Sequence, residues 1–232
     1  MNTDLVNYRE YRESDYSFCE ALVSDAWSFD SNFRPQALAD IGKYLYTMGS
    51  VAGSNFRQVA EINGSVVGFI FGYNEKLPLQ KHRLQSLSSR FTIFLRLVFM
   101  RGFPFNKKRQ FLNALSVHEI NRTALLKRGA SEIILFVVNP LHQGKGIGKQ
   151  LFYDFRDFCK KNEIPSIIVE TNKRGASSFY ERVGFQLKGE FDSPLHDYAT
   201  PNGQACLYEY QFYGTGVSVI DLVKKRKATP TG

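Results

Sequence analysis

The eleven residues Asn139-Pro-Leu-His-Gln-Gly-Lys-Gly-Ile-Gly-Lys149 decide how the rest of the chain is read. Three glycines at alternate positions, Gly144, Gly146 and Gly148, let main-chain N–H groups converge on one point, and the start of a following helix adds its partial positive charge. Lys145 and Lys149 supply counter-charge, so the stretch has the chemistry of a cradle for phosphate or pyrophosphate. A glycine-rich turn from strand to helix with no ligand is the plainer alternative. Two nucleotide-loop readings fit poorly. A Walker A loop needs a second glycine at fixed distance before Gly148-Lys149 and a Ser or Thr where Gln150 stands. A dinucleotide fingerprint needs its third glycine one residue later, after a βαβ start that the first half of the chain lacks.

The flanks support a strand, a turn and a helix. Residues 132–138, EIILFVV, form a nearly continuous apolar run of the kind expected in a strand buried on both faces. After the glycines, Leu151, Phe155 and Phe158 share one side of a helix expected over 147–162. Residues 166–170, SIIVE, read as a second buried strand, parallel to the first because a helical crossover joins them. A helix over 176–183 ending at Gly184 and strands over 185–191 and 205–213 complete the C-terminal half.

Toward the N-terminus, residues 5–11 read as a strand, followed by a helix capped by Ser14 and a second helix over 35–48. Residues 56–62 and 65–73 are β-rich runs joined by Asn63-Gly64, a strong signal for an antiparallel hairpin. The expected fold is α/β in the α+β sense: a mixed, mostly antiparallel sheet with a central parallel strand pair, flanked by helices and carrying a helical insertion.

Of the 232 residues 43% are hydrophobic and 22% charged, which excludes a disordered chain and implies a real core. The formal charge of +8 invites nucleic acid or an anionic membrane as partner, but the excess is local. Residues 77–129 hold 11 Lys and Arg against the single acid Glu119, the tail 214–232 adds +3, and the remainder is at −5. Within the basic segment Leu84, Leu87, Phe91, Leu95 and Val98 form an apolar helical stripe, with Arg83, Arg90 and Arg101 within about 40° of one another around the helix. One or two further helical pieces are expected up to Gly129. This segment either covers an acceptor cleft, binds anionic lipid or nucleic acid, or packs on the body or a second copy in a homodimer, its arginines pairing with acidic surface. The last use fits best.

Three dispersed cysteines, Cys19, Cys159 and Cys206, fit a reducing, cytoplasmic setting, and no signal sequence or membrane span is read. His82, His118, His142 and His196 lack metal-ligand spacing, so no metal is expected.

Two segments together carry a family resemblance. Residues 143–148, Gln-Gly-Lys-Gly-Ile-Gly, after an apolar strand, and 176–185, Ala-Ser-Ser-Phe-Tyr-Glu-Arg-Val-Gly-Phe, after the next, resemble the signature segments of the GNAT N-acetyltransferases. The resemblance implies one domain over 1–213, interrupted by 77–129, with acetyl-CoA as co-substrate and a small-molecule or protein amine as acceptor. It places the pyrophosphate on Gln143, Gly144, Lys145, Gly146, Ile147, Gly148 and Lys149, and the pantetheine arm along Phe136, Val137 and Val138, with Asn172 and Ser177 as further contacts. Tyr180 matches the family's proton donor to the leaving thiolate. Glu132, eleven residues before Gln143, has a spacing similar to the general base of some members; a polar residue at a strand start is the alternative. Lys173 stands where the family often has Asn, which leaves Asn172 displaced by one. A member that binds CoA without catalysis is the competing function.

Overall fold

The computed structural model describes residues 5–34, 36–79, 104–126, 129–173, 175–196 and 204–212. Arg83, Arg90, Arg101 and Arg174, the apolar stripe 84–98 and the basic tail lie outside the described residues. Seven strands form one sheet: β1 Asn7–Glu10, β2 Phe56–Ile62, β3 Ser65–Tyr73, β4 Ser131–Val138, β5 Ser166–Asn172, β6 Gln186–Phe191 and β7 Ala205–Gln211. Their order is β1-β2-β3-β4-β5-β7-β6, antiparallel throughout except for the parallel pair β4 and β5. The expected α/β architecture with one central parallel pair is the observed one.

The β2–β3 hairpin turns on Asn63 (φ 50°) and Gly64 (φ 80°), whose left-handed backbone matches the twist of the strands it joins. Helices α1 Tyr16–Trp27, α2 Phe29–Asn32 and α3 Gln36–Gly53 follow β1. The carboxylate of Asp15, not Ser14, organises the start of α1: it accepts the N–H of Arg12 at 2.7 Å and pairs with Arg9 at 2.8 Å. Asp15 is nearly buried and stands at the N-cap position of α1 without a side-chain cap hydrogen bond, while Ser14 faces solvent one residue earlier, so the expected Ser14 cap is not formed.

Helix α4, Phe105–Leu125, is one continuous piece beginning after Pro104. It seats Phe111 and Ala114 in the core and leaves Phe105 and Ile120 exposed. Helices α5 Ile147–Lys161 and α6 Ser177–Arg182 lie on the opposite face. Two cores result. One gathers Leu22, Phe29, Leu38, Phe69, Phe71, Phe111 and Val137 under the first four helices; the other gathers Ile70, Ile133, Leu151, Phe152, Phe155, Ile167 and Phe185 under α5 and α6. At about 25 cal/mol per Å² of apolar surface, each buried Phe or Leu contributes on the order of 2 kcal/mol.

Strand β4 feeds both cores by alternation, and an extra residue shifts the parity partway along it. Gly72 pairs with Ile133 and Phe71 with Leu135, so Ile134 bulges. Before the bulge Ile133 faces α5; after it Leu135 and Val137 face the first helices, while Phe136 and Val138 turn to α5 and α6. The reading of 132–138 as buried on both faces needs correction: exposure alternates, with Glu132, Ile134, Phe136 and Val138 only half-buried. The reason is the partner strand. β4 pairs with β5 only over Ser131–Ile133, then parts from it. Among the described residues no helix is long and apolar enough to cross a membrane.

Candidate active site

Beyond Ile133 the main-chain groups of β4 on the side away from β3 have no strand partner among the described residues. A wedge-shaped opening lies between β4 and β5, and the glycine loop stands at its wide end. Asn139 anchors that loop: its N–H donates to the Val67 carbonyl at 2.9 Å and its side-chain oxygen accepts the N–H of Leu141 at 2.9 Å. The Gln143 amide donates to the Val138 carbonyl at 3.1 Å, holding the loop against the strand end. Gly144 (φ 77°) and Gly146 (φ 84°) adopt left-handed backbone, and a Cβ on either would meet nothing within 4 Å. This is open space ringed by main chain. No side chain caps α5, whose N-cap is Gly146, so the N–H groups of Ile147, Gly148 and Lys149 remain for an anion. Lys145 and Lys149 are exposed beside them, Lys149 lying 5.4 Å over the Tyr153 ring.

Gly148 fits between strand and helices: a Cβ there would sit 3.4 Å from Phe136 and 3.5 Å from Phe179. The Phe136 and Phe179 rings meet edge-on at 5.5 Å, so α6 joins β4 and α5 around the opening. The residues read from sequence as cofactor contacts on β4 and in the loop are therefore contiguous. Asn172 ends β5, paired with Ala205, and the Ser177 hydroxyl donates to the Lys173 carbonyl at 3.0 Å in the turn that follows. Lys173 itself pairs with Glu190 at 2.6 Å.

Tyr180 packs against Phe179 and Phe185 and is 4% exposed. Burial pushes its hydroxyl pKa up, which keeps it protonated.

Glu132 occupies the narrow end of the opening, six residues and about 20 Å along the strand from Val138. Its carboxylate pairs with Arg122 of α4. Arg122 Nε donates in turn to Glu170 on β5 at 2.9 Å. The Glu170 carboxylate also meets His196 Nε2 at 2.8 Å and lies 3.6 Å from His118 Nε2. Burial raises the Glu132 pKa, with Arg122 opposing it. Burial also presses on Glu170, but the His196 hydrogen bond and the positive charges around it prevail and hold its carboxyl below the usual range. Burial lowers His118, leaving its imidazole neutral. Sequence reading singled out Glu132 alone. Arg122, Glu170, His118 and His196 come from a helix, a strand and a loop with no spacing in common, so only a signal of contact between distant positions would have found them.

This geometry defines a fold class. Residues 100–191 match the family model of the acetyltransferase (GNAT) domain. The solved PH1933 of Pyrococcus horikoshii superposes with a TM-score of 0.57 at 15% identity, covering 90% of this chain and 99% of that one. The PaiA N-acetyltransferase of Thermoplasma acidophilum, in complex with coenzyme A, superposes at 0.53 and 13% identity, over 90% and 99%. YncA of Salmonella typhimurium, with its cofactor acetyl-CoA, does so at 0.50 and 14%, over 91% and 96%. No curated protein matches by sequence. The chain has the fold of these acetyltransferases, and the stretch 100–191 that matches the GNAT domain model includes both segments whose resemblance is read from sequence.

Proposed function

We propose that this protein is an acetyl-CoA-dependent N-acetyltransferase acting on a primary amine by direct attack. The observation that supports it most is the parting of β4 from β5 beside an uncapped, glycine-lined helix start. An open strand edge accepts an extended amide-bearing arm, and the loop at its end accepts the attached pyrophosphate.

Acetyl-CoA supplies the activated acyl group as a thioester. The chain's own residues then divide the work. Glu132 takes a proton from the acceptor ammonium, whose ordinary pKa near 10 otherwise keeps the nitrogen unreactive. A carboxylate whose pKa is raised by burial is a better base for that step. Unpaired N–H groups of β4 face the developing oxyanion as nitrogen bonds to the acyl carbon. Tyr180 donates its proton to sulfur as the C–S bond breaks, releasing CoA thiol and the N-acetyl product. In this reading the acceptor enters at the narrow end, where the Glu132 side chain keeps 24% of its surface open beside α4.

The test combines two measurements. Acetyl-CoA should raise the melting temperature of the full chain, and free thiol should appear with some member of an amine panel. Stabilisation without thiol release from any amine would instead support a CoA-binding module, and absence of both would refute the proposal.

A further inference from the structure

We infer that His118, Glu170 and His196 form a site for a divalent transition-metal cation, zinc by its donor set. The inference stands independently of acetyl transfer. His118 projects from α4, Glu170 from β5, and His196 from the segment after β6. One ligand atom from each lies within 4.8 Å of the other two.

Hydrogen bonding closes only part of this cluster, and its spacing is that of ligands able to share an ion. With metal–ligand distances of about 2.0 to 2.1 Å, donors around a tetrahedral ion stand about 3.3 Å apart. Glu170 Oε1 lies 2.8 Å from His196 Nε2, hydrogen-bond distance without an ion, and Oε2 lies 3.6 Å from His118 Nε2, on either side of that value. The second is too long for a hydrogen bond. The two imidazoles stack at 5.8 Å with planes 22° apart, so both present an edge to the carboxylate.

The surroundings position the donors. His118 Nδ1 lies 2.9 Å from the buried Ser193 hydroxyl; with Nδ1 assigned as the donor, the Nε2 lone pair points at the carboxylate. Ser193 also accepts the His196 N–H at 3.2 Å, and the Asn121 amide donates to the Asp192 carbonyl at 2.8 Å, fastening the loop to α4. Charge favours a cation. Glu132, Glu170 and the neighbouring Glu119 face a single guanidinium, Arg122, which binds the edge of Glu170 nearer His118. Two imidazoles and a carboxylate leave a fourth position for water or a ligand, the usual arrangement of an open zinc site.

The experiment uses the full chain stripped with chelator and then dialysed against Zn²⁺, with bound metal measured directly and Co²⁺ absorption as a report of coordination. Expected are one Zn²⁺ per chain, a fall of more than about 100-fold in affinity for His118→Ala and His196→Ala, and a fall of about 10-fold for Ser193→Ala. Near-UV circular dichroism establishes that each variant is folded, and His196→Gln provides a milder version of the same loss. No zinc retained by the wild type, or equal retention by the folded double variant His118→Ala/His196→Ala, would overturn the inference.

Discussion

Replacing Arg122 by Met tests the charge arrangement at the narrow end of the β4–β5 opening. Arg122 is 12% exposed and binds two carboxylates, Glu132 at 24% and Glu170 at 18%. Glu170 keeps His196 in the variant; Glu132 loses its only ion-pair partner among the described residues. Breaking a buried pair from one side costs about 3 to 5 kcal/mol, and the partial exposure of Glu132 puts this case near 3 kcal/mol. At about 2 to 4 °C per kcal/mol, the melting temperature should fall by about 6 to 12 °C. The pH dependence has a definite sign. Burial holds Glu132 above its unfolded pKa, and removing Arg122 raises it further. A carboxyl with a raised folded pKa destabilises when ionised, so the deficit is largest at neutral to alkaline pH and shrinks as pH falls through that raised value. Glu170, lowered in the fold, works in the opposite sense, but its histidine partners remain in both proteins. Urea unfolding of the wild type, Arg122→Met, Glu132→Gln and the double variant at about pH 8 and about pH 5 closes the cycle. A deficit below about 1 kcal/mol, or one equal at both pH values, would refute the reasoning.

Other substitutions separate packing from chemistry. Tyr180→Phe should stay within about 1 kcal/mol of wild-type stability while thiol release falls by about 10² to 10⁴, followed by unfolding and thiol assays on one preparation; unchanged turnover would remove Tyr180 from the reaction. Gly146→Ala forces a side chain onto φ 84° and should cost about 1 to 2 kcal/mol while reducing the stabilisation given by CoA, a pairing that calorimetry with and without CoA resolves. Gly72→Ala would set a Cβ 2.3 Å from Phe155, so chemical denaturation should show a loss of about 1 to 3 kcal/mol with CoA binding retained.

What was legible in the sequence was local. Asn63-Gly64 specifies its turn by backbone conformation alone, and the strand, glycine loop and helix around 132–161 announce themselves within thirty residues. The parting of β4 from β5 was not legible, because nothing in EIILFVV marks where a neighbouring strand departs. The sequence leaves open one or two pieces where α4 is a single helix, since its apolar residues do not follow one stripe: Phe111 and Ala114 are buried but Leu112 and Ile120 are not. Ser14 fits the rule for caps, yet it lies one residue before the N-cap Asp15, whose carboxylate is taken by Arg9 and the Arg12 N–H. The histidines looked unrelated because metal-site spacing is recognised along the chain, whereas positions 118, 170 and 196 meet only after three elements pack.

The extra residue at Ile134 acts as a phase shift within one strand. Regular alternation along all the numbered positions, with no bulge, would set Glu132 on the same face as Phe136 and Val138. With it, Phe136 and Val138 address the helices that border the glycine loop while Glu132 addresses α4. The Phe136–Val138 end and Glu132 thus address opposite surfaces of the sheet yet share a single backbone. Deleting Ile134 would restore plain alternation, with Glu132, Leu135 and Val137 on one face and Ile133, Phe136 and Val138 on the other, so each side chain would keep its face while the strand lost its bulge.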